Sequence, residues 1–277
     1  MSQCLIEFLD IHYTYPGSSQ PALNGLNLCI PTRKKTALIG QNGCGKTTLF
    51  LLANGLVKPQ RGKVYYQGQP LVYNRRHLME LRQKVGLVFQ NPEQQIVAST
   101  VEEDISYGLC NLGLPDKEIT QRVEQALSEF GLIEFAGKPV HHLSLGQKKR
   151  VSLADVMVLQ PELLLLDEPT AFLDQLYTRQ LMATLKKIDA EGTTILMATH
   201  DLNLVYRWAD WIIVLDQGQL VLEGTPKDVF SQREILEELH LGVPLIFDLV
   251  SQVSEFLESE SLATTPLLIE RLRSLFL

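Results

Sequence analysis

Residues 36–47 read Thr36-Ala37-Leu38-Ile39-Gly40-Gln41-Asn42-Gly43-Cys44-Gly45-Lys46-Thr47. Thr36 to Ile39 is a short apolar run with the character of a buried strand, and it passes directly into a glycine-rich loop. Thr47 to Asn54 follows as a helix that Gly55 can terminate. The loop and its exit match GxxxxGK[ST]. Its glycines let the backbone curl so that successive N–H groups point at one anion, and the positive end of the following helix faces the same place. Lys46 adds a compact charge for the β- and γ-phosphates, and the Thr47 hydroxyl can ligate Mg2+. Gly40, Asn42, Gly43, Cys44, Gly45, Lys46, Thr47 and Thr48 are therefore candidates for holding a nucleotide. A glycine turn beside an unrelated lysine is the plainer alternative. The strand leading in and the helix leading out argue against it.

Upstream of this stretch the chain reads as strands and turns. Leu5 to Tyr15 is rich in β-forming residues and stops at Pro16-Gly17, and Leu26 to Ile30 is closed by Pro31. Downstream, Lys63 to Gln67 and Pro70 to Tyr73 read as a hairpin around Gly68. Beyond residue 90 helices take over. Thr100 with Glu103 fits a capping box, as does Ser144 with Gln147. Asp116 can cap a helix that carries Ile119, Val123, Leu127 and Phe130 on one face and ends at Gly131. Leu163 to Leu166, Thr194 to Ala198 and Trp211 to Leu215 then alternate with helices, which implies a parallel sheet. The expected architecture is α/β: a P-loop core with an antiparallel β subdomain and a helical insertion at about 91–160. Residues 1–243 form the main domain, and 244–277 a short helical tail. In that tail Ile246, Leu249, Val250, Val253, Phe256 and Leu257 recur at helical spacing, and Thr265-Pro266 opens a second amphipathic stretch.

Leu163-Leu164-Leu165-Leu166-Asp167-Glu168 is a buried-type strand that ends in two carboxylates. A phosphoryl-transfer site needs an acid there to hold the metal, which suits Asp167. Glu168 would then face the γ-phosphate and could act as general base on a water molecule. Taken alone, the same pattern also describes a strand that turns polar as it meets solvent.

Composition bounds the rest. The chain has 277 residues, 45% apolar and 21% charged, an ordinary globular mix. A net charge of −7 lacks the basic footprint of a nucleic-acid binder. The four cysteines show no paired spacing, so free thiols in a reducing compartment are expected. No signal peptide is visible, and no apolar run approaches the roughly 18 residues that cross a bilayer. Any role at a membrane must come through a partner.

Between the two phosphate-site elements lies His142-Leu143-Ser144-Leu145-Gly146-Gln147-Lys148-Lys149-Arg150. It resembles the LSGGQ signature of ATP-binding-cassette (ABC) ATPases. Gln90 resembles the Q-loop glutamine of that family, Ala171-Phe172-Leu173-Asp174 its D-loop, and His200 its switch histidine. Tyr15 stands where the family stacks an aromatic ring on adenine. The resemblance covers roughly residues 3 to 230. It implies ATP and Mg2+ as ligands, with Thr47, Gln90 and Asp167 around the metal and Glu168, Gln90 and His200 as the catalytic group. Ser144, Gly146, Gln147 and Asp174 would meet nucleotide across a dimer with a second cassette, either a copy of this chain or a paralogue. Leu145 departs from the usual glycine, which implies an altered fit there.

Residues 90–95, 100–108 and 111–115 resemble the energy-coupling-factor ATPases that drive uptake of cobalt, nickel and B vitamins. That resemblance implies transmembrane transporter subunits as partners and a peripheral place on the cytoplasmic face of the membrane. An ATPase serving a binding-protein-dependent importer is the nearest alternative. A soluble non-transport ABC ATPase and a P-loop kinase of small molecules stand further off.

Overall fold

A computed structural model describes residues 4–251. The chain opens with β1 (Cys4–Tyr13), β2 (Leu23–Pro31), β3 (Lys35–Ile39) and α1 (Lys46–Ala53). The hairpin β4 (Arg61–Tyr66) and β5 (Gln69–Pro70) leads to α2 (Arg75–Lys84) and β6 (Val85–Val88). Helices α3 (Val101–Asn111), α4 (Asp116–Glu129) and α5 (Leu145–Met157) follow. Strand and helix then alternate through β7 (Leu163–Asp167), α6 (Gln175–Ala190), β8 (Thr194–Ala198), α7 (Leu202–Trp208) and β9 (Trp211–Asp216). β10 (Gln219–Gly224), α8 (Pro226–Phe230) and α9 (Arg233–Glu238) come next, and residues 245–251 are helical again.

Two sheets result. One is antiparallel, in the order β2-β1-β4-β5; the other runs β10-β9-β3-β8-β7-β6 and is parallel from β9 to β6. Strand β3 lies between β8 and β9, so the loop after it emerges at the middle of the sheet. A parallel strand covered on both faces must be apolar throughout, and β7 shows how the two faces divide. Leu163 and Leu165 pack toward α1 and the antiparallel sheet, while Leu164 and Leu166 face the helical layer with Val151 and Leu153. Helix α1 is buried almost all round, with Leu49, Phe50 and Leu52 wholly inaccessible. It has no solvent face on which to be amphipathic.

Several local expectations need correction. Asp116 is the first residue of α4, and extended Pro115 holds the cap position; proline's fixed φ suits the entry, and the Asp116 charge still favours a helix start. The second hairpin strand stops at Pro70. Helix α2 gave no apolar stripe, because Leu81 is its sole buried residue; its one local signal is Asn74, whose side chain accepts from the His77 N–H. Cys4 and Cys29 are not free thiols but a disulfide, with Cα atoms 5.6 Å apart. Spacing along the chain could not show this, because antiparallel pairing of β1 with β2 brings them together. In the tail Phe247 is buried, packed against Tyr206 and Phe230, whereas Leu249 is exposed. Val253, Phe256, Leu257 and the stretch from Thr265 lie outside the described residues.

Candidate active site

The glycine loop needs its glycines for space as well as for φ. Gly45 has φ 110°, and a Cβ there would lie 2.6 Å from the Ala22 carbonyl oxygen and 2.7 Å from the Leu23 side chain. A Cβ on Gly40 would run into the Leu215 carbonyl. The loop is thus pressed between β2 and the end of β9, which fixes its curl. Lys46 is 7% exposed, and its ammonium donates to the carbonyls of Gly40 at 2.7 Å and Gln41 at 3.0 Å. Cys44 is buried beneath the loop, and its N–H is used by the Gln41 carbonyl.

Strand β7 delivers its acid to the same place. The Thr47 hydroxyl donates to Asp167 Oδ2 at 2.7 Å. Both are hard oxygen donors on rigid elements, a set that suits Mg2+, which takes one or two protein oxygens and completes its shell with phosphates and water. Burial pushes the Asp167 carboxyl above its usual range, opposed by the Thr47 hydrogen bond and the Lys46 charge.

Glu168 is 9% exposed and has φ 46°, a left-handed backbone that a non-glycine residue adopts at a cost of about 1–2 kcal/mol. Such strain concentrates at functional sites. Burial raises its carboxyl too, and the Lys46 charge opposes that. His200 Nε2 lies 3.1 Å from Glu168 Oε1, but off the direction of a hydrogen bond, so this buried oxygen has no donor among the described residues. Burial lowers the His200 imidazole below its usual range, which favours the neutral ring.

A cleft of about 610 Å³ opens above these groups. Lys46, Thr47, Thr48, Asp167, Glu168 and His200 border it, together with Tyr15, Asn42, Gly43, Gly45 and Gln90. Tyr15 is 39% exposed, and its hydroxyl is 3.1 Å from the Thr48 hydroxyl. Besides Ala171, the wall includes Ser18, Gln20, Pro21 and Ala22. They carry no motif, and only the return of β2 beneath the loop places them there.

Ser144, Gly146, Gln147 and Asp174 do not border this cleft. The Ser144 side chain accepts from the Gln147 N–H, and the Gln147 side chain accepts from the Ser144 N–H at 2.8 Å, which closes the start of α5. Asp174 caps α6 through the Tyr177 N–H at 2.8 Å. Gly146 has a reason of its own: a Cβ would press to 3.1 Å from the Tyr177 ring, so glycine lets the starts of α5 and α6 meet. Leu145, Phe172 and Leu176 near that junction are exposed, and Phe172 is strained at φ 62°. The segment after Gln90 is also tied to α5. Lys148 reaches Glu93 at 2.8 Å, and Gln95 donates to the Ser152 carbonyl at 2.7 Å and to Asp155 at 3.1 Å.

A strand-loop-helix phosphate cradle facing an acidic strand end is what P-loop nucleoside triphosphatases share, and this chain is one of them. Residues 23–171, more than half of the chain, match the ABC transporter family, and the chain belongs to it as an ATP-binding, ATP-hydrolysing protein. An ABC transporter ATP-binding protein of Nostoc sp. (strain PCC 7120) is 68% identical over 249 residues, covering 90% of this chain and 91% of that one. The energy-coupling factor transporter ATP-binding protein EcfA of Methanocaldococcus jannaschii is 43% identical over 246 residues, 89% of this chain and 88% of its own. Among solved structures, CbiO1 of Clostridium perfringens, described as part of the ABC transporter complex CbiONQ, superimposes with a TM-score of 0.75. It is 39% identical, covering 90% of this chain and 99% of that one. Among the described residues no helix is long and apolar enough to cross a membrane.

Proposed function

We propose that this chain is the ATPase of an energy-coupling-factor type importer for a micronutrient: a cobalt or nickel ion, or a vitamin. The observation that carries the catalytic half is the meeting of Lys46, Thr47, Asp167, Glu168 and His200 at one cleft. Tyr15 packs on the adenine. Lys46 turns its ammonium from the loop carbonyls to the phosphates. Thr47, Asp167 and Gln90 would hold Mg2+, which would supply positive charge against the phosphates. Glu168, held ionised by nearby Lys46 against the effect of burial, takes a proton from the attacking water. His200 stands at hydrogen-bond distance from that carboxylate to orient water or the γ-phosphate. Ser144, Gly146, Gln147 and Asp174 face the nucleotide of a second cassette, in a homodimer or with a paralogue. The hydroxyl and N–H groups at the start of α5 suit an anion there.

The importer half rests on relatives named as energy-coupling factor ATPases and on CbiO1, described as part of a transporter complex. Leu56, Met79 and Tyr107 expose apolar surface along a groove of about 340 Å³ beside β6 and α3. We assign that groove to a transmembrane subunit, which would hold the chain at the cytoplasmic face. Gln95 and Glu93 link the groove's flank to α5, so a shift of the partner would reach the signature segment. The test is purification of the tagged chain from detergent-solubilised membranes, with every stoichiometric partner identified. An integral membrane subunit supports the proposal. A chain found only in the soluble fraction, without such a partner, overturns it.

A further inference from the structure

Helix α5 carries a lysine whose surroundings the proposed chemistry does not explain. Lys149 is 6% exposed, yet among the described residues no carboxylate receives its ammonium. It donates instead to two backbone carbonyls, Glu168 at 3.2 Å and Pro169 at 3.0 Å. Burying a charge among neutral acceptors is unfavourable, and it persists only where the surrounding structure requires it. Burial lowers this lysine to about 8, while the Glu168 charge acts in the opposite direction.

What the ammonium holds is the strained turn. Glu168 sits at φ 46°, with its N–H fastened to the Ala198 carbonyl of β8 at 3.0 Å. On the other side its carbonyl accepts from the Ala171 N–H at 3.1 Å and from Lys149. The backbone is therefore clamped before and after its left-handed residue. The carboxylate has the His200 backbone N–H and the Thr199 hydroxyl beside it, which favour its charged form, while Oε1 has no hydrogen-bond donor among the described residues. Where the carboxylate points is then decided by these groups together with the backbone, which Lys149 holds on one side.

We propose that Lys149 is a positioning residue for Glu168, presenting its carboxylate to the cleft by bridging the 168–169 carbonyls to the helix that Ser144 opens. The inference rests on the reading of Glu168 as the base. The Gly146–Tyr177 contact keeps α5 in register with α6, so the ammonium is delivered from a fixed helix. Displacement of the Ser144 end of α5 would be passed to the Glu168 turn within two helical turns.

The test uses the full chain and compares Lys149→Met, which keeps the aliphatic reach without donors, with Lys149→Arg, which keeps donors for both carbonyls. A fluorescent ATP analogue reports binding, and phosphate release reports turnover. The Met variant should lose about tenfold in kcat while its nucleotide Kd stays within about twofold of the parent, and Arg should restore most of the loss. Combining Lys149→Met with Glu168→Gln should lower the residual rate no further than Glu168→Gln alone, because the lysine acts through that carboxylate. If the Met variant binds no nucleotide, Lys149→Leu, which also lacks donors, takes its place in the same comparison. Unchanged kcat in the Met variant, or an equal loss with and without Glu168, overturns the proposal. Near-parental hydrolysis by Glu168→Gln alone would instead overturn the reading of Glu168 beneath it.

Discussion

The hydroxyl of Thr47 donates to the carboxylate of Asp167 at 2.7 Å, joining residues 120 positions apart. One lies in the first turn of the helix after the phosphate loop and the other ends a strand of the parallel sheet. The bond sets the separation of two oxygens that a hard cation would share. Thr47→Val keeps the shape and removes one of them. ATP affinity in Mg2+ should then fall by about tenfold, while affinity in EDTA changes little. Calorimetric titration in both buffers measures this. If Mg2+ strengthens binding equally in both proteins, Thr47 is not a ligand.

Glu168→Gln keeps the size of the side chain but cannot take a proton. Hydrolysis should fall by about 10²-fold or more while ATP binding persists. Single-turnover assays beside equilibrium binding separate the two quantities. A variant that hydrolyses ATP at close to the parental rate would leave Glu168 no role as base.

Asp155 offers a pH test away from the nucleotide. Burial and the neighbouring Asp104 push its carboxyl up to about 7, although Gln95 donates to it. In the unfolded chain such a group titrates near ~3.9. Between those values the native state binds the extra proton, so stability from this group declines as pH rises from about 4 to 7 and is level above. Asp155→Asn should remove that decline and leave the protein more stable than its parent at pH 8. Urea midpoints across the range decide it, and parallel curves for the two proteins would refute the assignment.

The sequence reveals what depends on contiguous residue types and conceals what depends on long-range approach. The loop at 40–47 could be read because a phosphate cradle demands glycines, lysine and threonine in order, and the β7 acids because a buried strand has to end in them. The alternation of β7, β8 and β9 with helices gave the parallel core. The Cys4–Cys29 pair, the Gly146–Tyr177 contact and the Lys149 bridge each join separate elements, and none has a local pattern. Helix α2 escaped because it buries only Leu81, leaving no stripe to find. In the tail, helical spacing singled out Ile246, Leu249 and Val250. Packing chose Phe247 instead, because Tyr206 and Phe230 form a site for one aromatic ring.

That aromatic contact ties the first turns of the tail to the main domain. Phe247→Ala should lower unfolding free energy by about 3 kcal/mol, a typical cost of emptying a buried phenylalanine site. Arg233, which reaches Asp248 at 2.6 Å, lies at the same junction and would lose part of its support. Chemical denaturation measures the change. A loss below about 0.5 kcal/mol, the range of surface substitutions, would mean that the segment does not pack here in solution.

The last prediction concerns how a site is completed. Ser144 and Gly146 stand at the start of α5, away from the cleft that Lys46 borders, so one chain alone does not bring signature and phosphate loop together. If two cassettes share their sites, a chain with Ser144→Arg still offers a sound phosphate loop, and a chain with Lys46→Ala still offers a sound signature. Each variant alone should be inactive: the first blocks its partner's nucleotide, and the second loses a charge-assisted phosphate contact. In a mixed dimer one site combines the sound loop of the first with the sound signature of the second. Hydrolysis should therefore reappear on mixing and peak at equal proportions. Leu145 in place of glycine changes the fit of that joint, so Leu145→Gly in both chains should alter the recovered rate without changing the optimum ratio. No recovery in any mixture, once mixed dimers have been demonstrated by cross-linking and mass measurement, would mean that each chain completes its own site.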